Sequence, residues 1–196
     1  MSRRHALGVL VVVLAAALPA GLTAQSPAPP PSGIFLIGPD GSTKQLPVTT
    51  SMDTEMKGIG KSILTQGFSK PTMSARHSGA TAATVISELT PVFFFRFQDN
   101  SAPQDPMAFM AAMTSGQTAL VGKNPKEYVL ARLTVDGDAR IAASKGLTIV
   151  KLQATQKAPR EFEVRVATPL EPGEYAFFMN VGGAPTMIWA FSLQPK

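Results

Sequence analysis

The chain has 196 residues, 44% of them hydrophobic, with 18 Lys and Arg against 13 Asp and Glu and a formal net charge of +5. It has no cysteine and two histidines, His5 and His77. That composition excludes thiol catalysis, CxxC redox chemistry, thiolate metal centres and disulfide staples, and it starves any zinc or acid–base site of imidazole.

Residues 1–24 read as a secretory signal peptide: Arg3 and Arg4, an apolar run over 6–17, then small residues up to Ala24, after which cleavage is expected. The competing reading, an uncleaved membrane anchor, is disfavoured because the run is shorter than the roughly 20 residues a span needs. Cleavage removes His5 and two of the 18 basic residues, which lowers the net charge from +5 to +3. No Lys or Arg cluster interleaves with aromatics, so the electrostatic footprint of a nucleic-acid binder is missing. The expected location is periplasmic or extracellular, with no membrane span once the leader is gone.

Residues 25–32 are proline-rich and favour extended polyproline II, which reads as a tether to a domain over 33–196. Segments 34–37 and 44–48 flank Gly38-Pro39-Asp40-Gly41, a hairpin signal. Residues 49–66 carry mixed signals and no assignment. Strands are expected at 72–78 and 81–88, bracketing Gly79. A strand at 92–97 follows, with Phe93, Phe95 and Phe97 on one face and Val92, Phe94 and Arg96 on the other. One short helix is predicted between Asp105, a capping residue, and Gly116, with Pro106 at its first position. Residues 128–135 alternate, though Tyr128, Leu130 and Leu133 are imperfectly in phase, and Asp136-Gly137-Asp138 turns the chain into 139–143. Strands at 147–155, 161–167, 174–180 and 186–193 complete the set. Short strands at this spacing, without alternating helices, predict a mainly β, antiparallel β-sandwich, Ig-like or jelly-roll-like.

Leu170-Glu171-Pro172-Gly173-Glu174-Tyr175 has the logic of a tyrosine corner, in which a tyrosine near a strand start hydrogen-bonds back to the preceding connection. Three segments, Thr90-Pro91-Val92-Phe93-Phe94-Phe95, Lys126-Glu127-Tyr128-Val129-Leu130-Ala131-Arg132-Leu133 and Pro169-Leu170-Glu171-Pro172-Gly173-Glu174-Tyr175-Ala176-Phe177, resemble landmarks of uncharacterised secreted bacterial β-sandwich proteins with a late PLxPGEYxF strand. The resemblance spans most of 33–196. It implies fold and localisation and carries no activity.

The chemically most pointed pattern is Met107, Met110 and Met113, an MxxMxxM on the predicted helix, with Met52 and Met56 as a second pair. Thioethers select Cu(I), so these are the candidate metal ligands, weighed against ordinary packing of a flexible apolar side chain. Trp189 shares a strand face with Met187, Phe191 and Leu193, which reads as core in preference to a sugar-stacking platform. Asp99, Asp105, Asp136 and Asp138 fall in turns without EF-hand spacing. Glu161, Glu163 and Glu174 are the carboxylates a glycosidase would have to bring together. His77, beside Gly79, reads as partly exposed. There is no GxSxG turn and no glycine-rich phosphate loop. The sequence thus favours a non-enzymatic envelope protein, a structural or protein-interaction β-sandwich with an envelope or extracellular protein as partner and no cofactor. The alternative is small-ligand or Cu(I) binding through the Met-rich helix.

Overall fold

Alternating hydrophobicity produces strands almost throughout the computed structural model, which describes residues 32–57, 72–98, 123–144, 146–179 and 184–195. The architecture is mainly β and antiparallel, a sandwich extended by a third sheet. The front sheet contains β1 (Gly33–Ile37), β2 (Thr43–Gln45), β7 (Val92–Arg96), β12 (Leu152–Ala158) and β13 (Glu161–Val166), ordered β12-β13-β7-β1-β2. The central sheet contains β3 (Val48–Thr50), β8 (Tyr128–Arg132), β11 (Thr148–Val150), β14 (Gly173–Met179) and β15 (Met187–Leu193), ordered β11-β8-β14-β15-β3. The two-residue β6 (Val85–Ile86) adds to β15 in parallel. The back sheet contains β4 (Asp53–Lys57), β5 (Thr72–Ser78), β9 (Thr134–Asp136) and β10 (Ala139–Ala143), ordered β4-β5-β10-β9.

Several expected strands are divided because the chain changes sheet within them. The run 44–48 breaks at Leu46-Pro47: proline has no N–H for a ladder, and the chain passes from the front sheet to the central one. Residues 128–135 break at Leu133, where the central sheet hands over to the back sheet, and this corner explains the phase slip of Tyr128, Leu130 and Leu133. Residues 147–155 break at Lys151 between β11 and β12. The expected strand at 81–88 is reduced to β6, because the segment before it is held by the Glu174 carboxylate at Ala82 and by the Ser192 N–H at Thr84 in place of a ladder. Residues 49–57, left open by the sequence, form the end of β3 and all of β4. Among the described residues there is no α-helix, and the single helical turn is a 3-10 turn at Pro125–Glu127, capped by Asn124. The predicted Asp105–Gly116 helix lies outside the described residues.

The hairpins form where turn chemistry placed them. Gly41 and Gly137 adopt φ of 80° and 61°, conformations that cost glycine little. The front face of the central sheet packs Leu130, Tyr175, Phe177, Trp189, Phe191 and Leu193 against Ile34, Phe93, Phe95, Val164 and Val166 of the front sheet. Phe177 meets Phe93 and Phe95 edge to face, with centroids 4.8 and 5.2 Å apart. The back face packs Ala131, Ala176, Phe178, Ile188 and Ala190 against Ala142 of β10 and Ala82. With both faces covered, β14 and β15 are buried almost continuously.

Among the described residues, no helix is long and apolar enough to cross a membrane.

Candidate functional site

The polar groups that burial makes costly lie between the central and back sheets. On β5, Met73, Ala75 and His77 point the same way, and register places His77 opposite Arg140 and Ala75 opposite Ala142. On β14, Glu174 shares the back face with Ala176 and Phe178. His77, Arg140 and Glu174 are 0%, 3% and 7% exposed. The expectation of a partly exposed His77 is therefore corrected: strand alternation with Ala75 directs its ring inward, where the central sheet covers it.

Each of the three residues holds backbone. The His77 Nε2 lies 3.0 Å from the Pro185 carbonyl at the approach to β15. Arg140 donates from Nε to the Gly79 carbonyl and from Nη2 to the Ser78 carbonyl, both at 2.8 Å. The Glu174 carboxylate accepts from the Ala82 N–H at 2.9 Å. Together with the Ser192 N–H, which donates to the Thr84 carbonyl, they fasten residues 78–84 across the gap between two sheets. Burial lowers the pKa of His77 below its ordinary value; the bond to Pro185 opposes this and the neighbouring Arg140 adds to it. Burial also lowers the Arg140 guanidinium, and Glu174 pulls it back up. His77 Nδ1 and Arg140 Nη1 make no hydrogen bond. The histidine ring, the guanidinium and the carboxylate each hold a backbone carbonyl or amide, and in doing so they fasten the segment between the two sheets.

The other carboxylates do not converge on this set. Glu161 and Glu163 lie on the outer face of the front sheet, where Glu161 pairs with Arg96 at 2.8 Å and Glu163 with Arg165 and Lys157 at 2.6 and 3.0 Å. Hydrogen bonds from Arg165 and Lys157 lower the pKa of Glu163. The Arg96 guanidinium also lies over the rings of Phe35 and Phe94, at 5.8 and 5.4 Å from their centroids. Asp136, the last residue of β9, pairs with Arg76 at 3.1 Å. Asp99 and Asp105 lie outside the described residues.

Met107, Met110 and Met113 also lie outside the described residues. Met52 and Met56 are described and exposed, at 61% and 45%, and Met56 stands opposite Met73 on β5. Among the described residues, no three His, Cys, Asp or Glu side chains are grouped to hold a metal ion. Trp189 is buried, edge to face with Tyr128 at 5.6 Å, and presents no ring to solvent.

The tyrosine corner forms: the Tyr175 hydroxyl donates to the Glu171 carbonyl at 2.8 Å and its ring stacks on Phe191. Arg132 clamps the same connection by donating to the Glu171 carboxylate and the Pro172 carbonyl, both at 2.7 Å. Gly173 follows with φ of 155°, and a Cβ there would come within 2.9 Å of the Arg132 Nε. The glycine of the PGEY segment is thus favoured by its positive φ, and the Arg132 side chain packs into the space a Cβ would take.

What remains open is sheet edge. The front sheet ends on one side at β12, seven residues long and exposed from Gln153 to Lys157. Its inner ladder pairs Gln153 with Arg165 and Thr155 with Glu163, in step with the Ala167 N–H bonded to the Lys151 carbonyl. Antiparallel alternation therefore turns the peptide groups of Gln153 and Thr155 toward β13 and those of Ala154 and Gln156 outward. The opposite edges are shorter or more charged: β2, β9 and β11 have three residues each, and β4 carries Asp53, Glu55 and Lys57. The stretch from Leu152 to Gln156 has no charge, and Lys157 lies at its end beside a register shift. Long edges without charge are templates for strand addition. Comparison of the chain with protein-family models, with curated proteins and with solved structures found no match.

Proposed function

We propose that this protein is a secreted, non-enzymatic protein of the bacterial envelope that acts by binding another polypeptide at the free edge of β12. The observation that carries the reading is the outward display of the Ala154 and Gln156 peptide groups on the longest edge strand among the described residues. Main-chain pairing there supplies affinity, and the side chains on either face supply selectivity. Commitment of His77, Arg140 and Glu174 to backbone supports a binding or structural role over catalysis.

The test places a photo-crosslinking side chain at Gln153 in the protein's own host. One dominant adduct that disappears with Ala154→Pro supports the reading. Proline removes an outward N–H while the inner ladder of Gln153 and Thr155 persists. Uniform absence of adducts overturns it. Secretion is checked by sequencing the N-terminus of the exported protein, where Gln25 is expected first; retention in the cytoplasm overturns the envelope assignment.

A further inference from the structure

Whether an edge strand pairs with a copy of itself depends on access, on which peptide groups face outward, and on what meets across the twofold axis. Access is open for β12 among the described residues. Ala154 and Gln156 are exposed on one face and Gln153, Thr155 and Lys157 on the other, so an added strand meets no second layer.

The outward groups select the register. A twofold axis through Thr155 sets Ala154 opposite Gln156 of the second copy, and Gln156 opposite Ala154 of the second copy. Both residues turn their peptide groups outward, so this register closes two hydrogen-bonded pairs. Thr155 then faces Thr155 of the second copy at a non-hydrogen-bonded position, where Cα atoms approach to about 4.5 Å and threonine pairs are favourable. Lys157, the one charge on the strand, falls opposite Gln153 of the second copy and keeps its own Glu163 at 3.0 Å. No like charges meet. Isologous contacts require a patch complementary to itself, and an uncharged centre with Lys157 matched to Gln153 meets that requirement. On β4 every second residue is charged, and an axis through its central residue would set Glu55 against Glu55.

We propose that the protein forms a twofold dimer by antiparallel pairing of β12 with β12 of a second copy, which joins the two front sheets into one. This rests on the reading of β12 as an interaction edge and names its occupant.

The chain has no cysteine, so a single introduced thiol reports the register cleanly. In the purified mature protein, sedimentation is expected to show a concentration-dependent dimer. Thr155→Cys is expected to form a disulfide-linked dimer about tenfold faster than Gln153→Cys, because only the residue on the axis meets its own copy at disulfide distance. Ala154→Pro is expected to sediment as a monomer with unchanged circular dichroism. A monomer at all concentrations, or equal oxidation rates at the two positions, overturns the dimer. Hydrogen exchange at the Ala154 and Gln156 amides then separates the two readings. Protection that appears only when host envelope extract is added assigns the edge to a different protein and overturns the dimer alone. Free exchange under both conditions overturns the dimer and the interaction edge together.

Discussion

The two faces of the central sheet are built on opposite principles. The front face presents Tyr175, Phe177, Trp189 and Phe191 to the aromatic rows of β7. The back face presents Ala131, Ala176 and Ala190, which register aligns across β8, β14 and β15, to Ala142 of the back sheet and Ala82, with Phe178 and Ile188 beside them. Large rings bury much apolar area and tolerate some adjustment of angle. Alanines bury less and let two backbones approach, and the long polar side chains beside them meet carbonyls and amides of the neighbouring segment. The difference teaches that one sheet separates two tasks: the front interface supplies most of the hydrophobic stabilisation, and the back interface fixes register through His77, Arg140 and Glu174.

If that division is right, Phe177→Ala produces the largest loss, about 3–5 kcal/mol, because it opens a cavity among Phe93, Phe95 and Phe191. Urea unfolding of the purified domain measures it. Ala176→Leu, the neighbouring residue on the opposite face, is expected to cost about 1–3 kcal/mol for the reverse reason, overpacking. A cost near zero would show that the back interface has room. Arg140→Met leaves the Ser78 and Gly79 carbonyls without their donor and removes the positive charge near Glu174, at about 1–3 kcal/mol. It should also speed amide exchange at Ala82 more than at Phe95. Tyr175→Phe removes one hydrogen bond and should cost about 1 kcal/mol.

The smallest effect is the dependence on pH. His77 has a lowered pKa when folded, so below its ordinary value of 6.5 the unfolded chain binds the proton more readily. Its contribution is complete above that pH and declines as pH falls. Unfolding midpoints measured between pH 7.5 and 5 should therefore decline more steeply for the native chain than for His77→Gln. Equal slopes would detach His77 from the acid response.

Alternation made β5, β7, β10, β14 and β15 legible in the sequence, because each keeps one phase along its whole length. The hairpin turns were legible through glycine at positive φ, and the tyrosine corner through the spacing of Glu171 and Tyr175. Changes of sheet were not, because a strand that turns a corner at Pro47, Leu133 or Lys151 keeps its composition while its faces swap partners. Of the polar set, Glu174 was noticed as a carboxylate and Arg140 was missed. Reading 72–78 strictly by alternation would have put His77 beside Ala75 on the buried face. The outward peptide groups of β12 were beyond reach, since they follow from pairing with β13.

The order of the central sheet dictates when the fold can exist. β3 and β15 lie at opposite ends of the domain sequence and pair directly, and the Gln194 N–H donates to the Ile86 carbonyl. The chain is made from its N-terminus, so the sheet that both interfaces share stays open until β15 emerges. Contacts this distant in sequence make closure slow. β15 is therefore the bolt of the structure, and the strands it joins must wait for it.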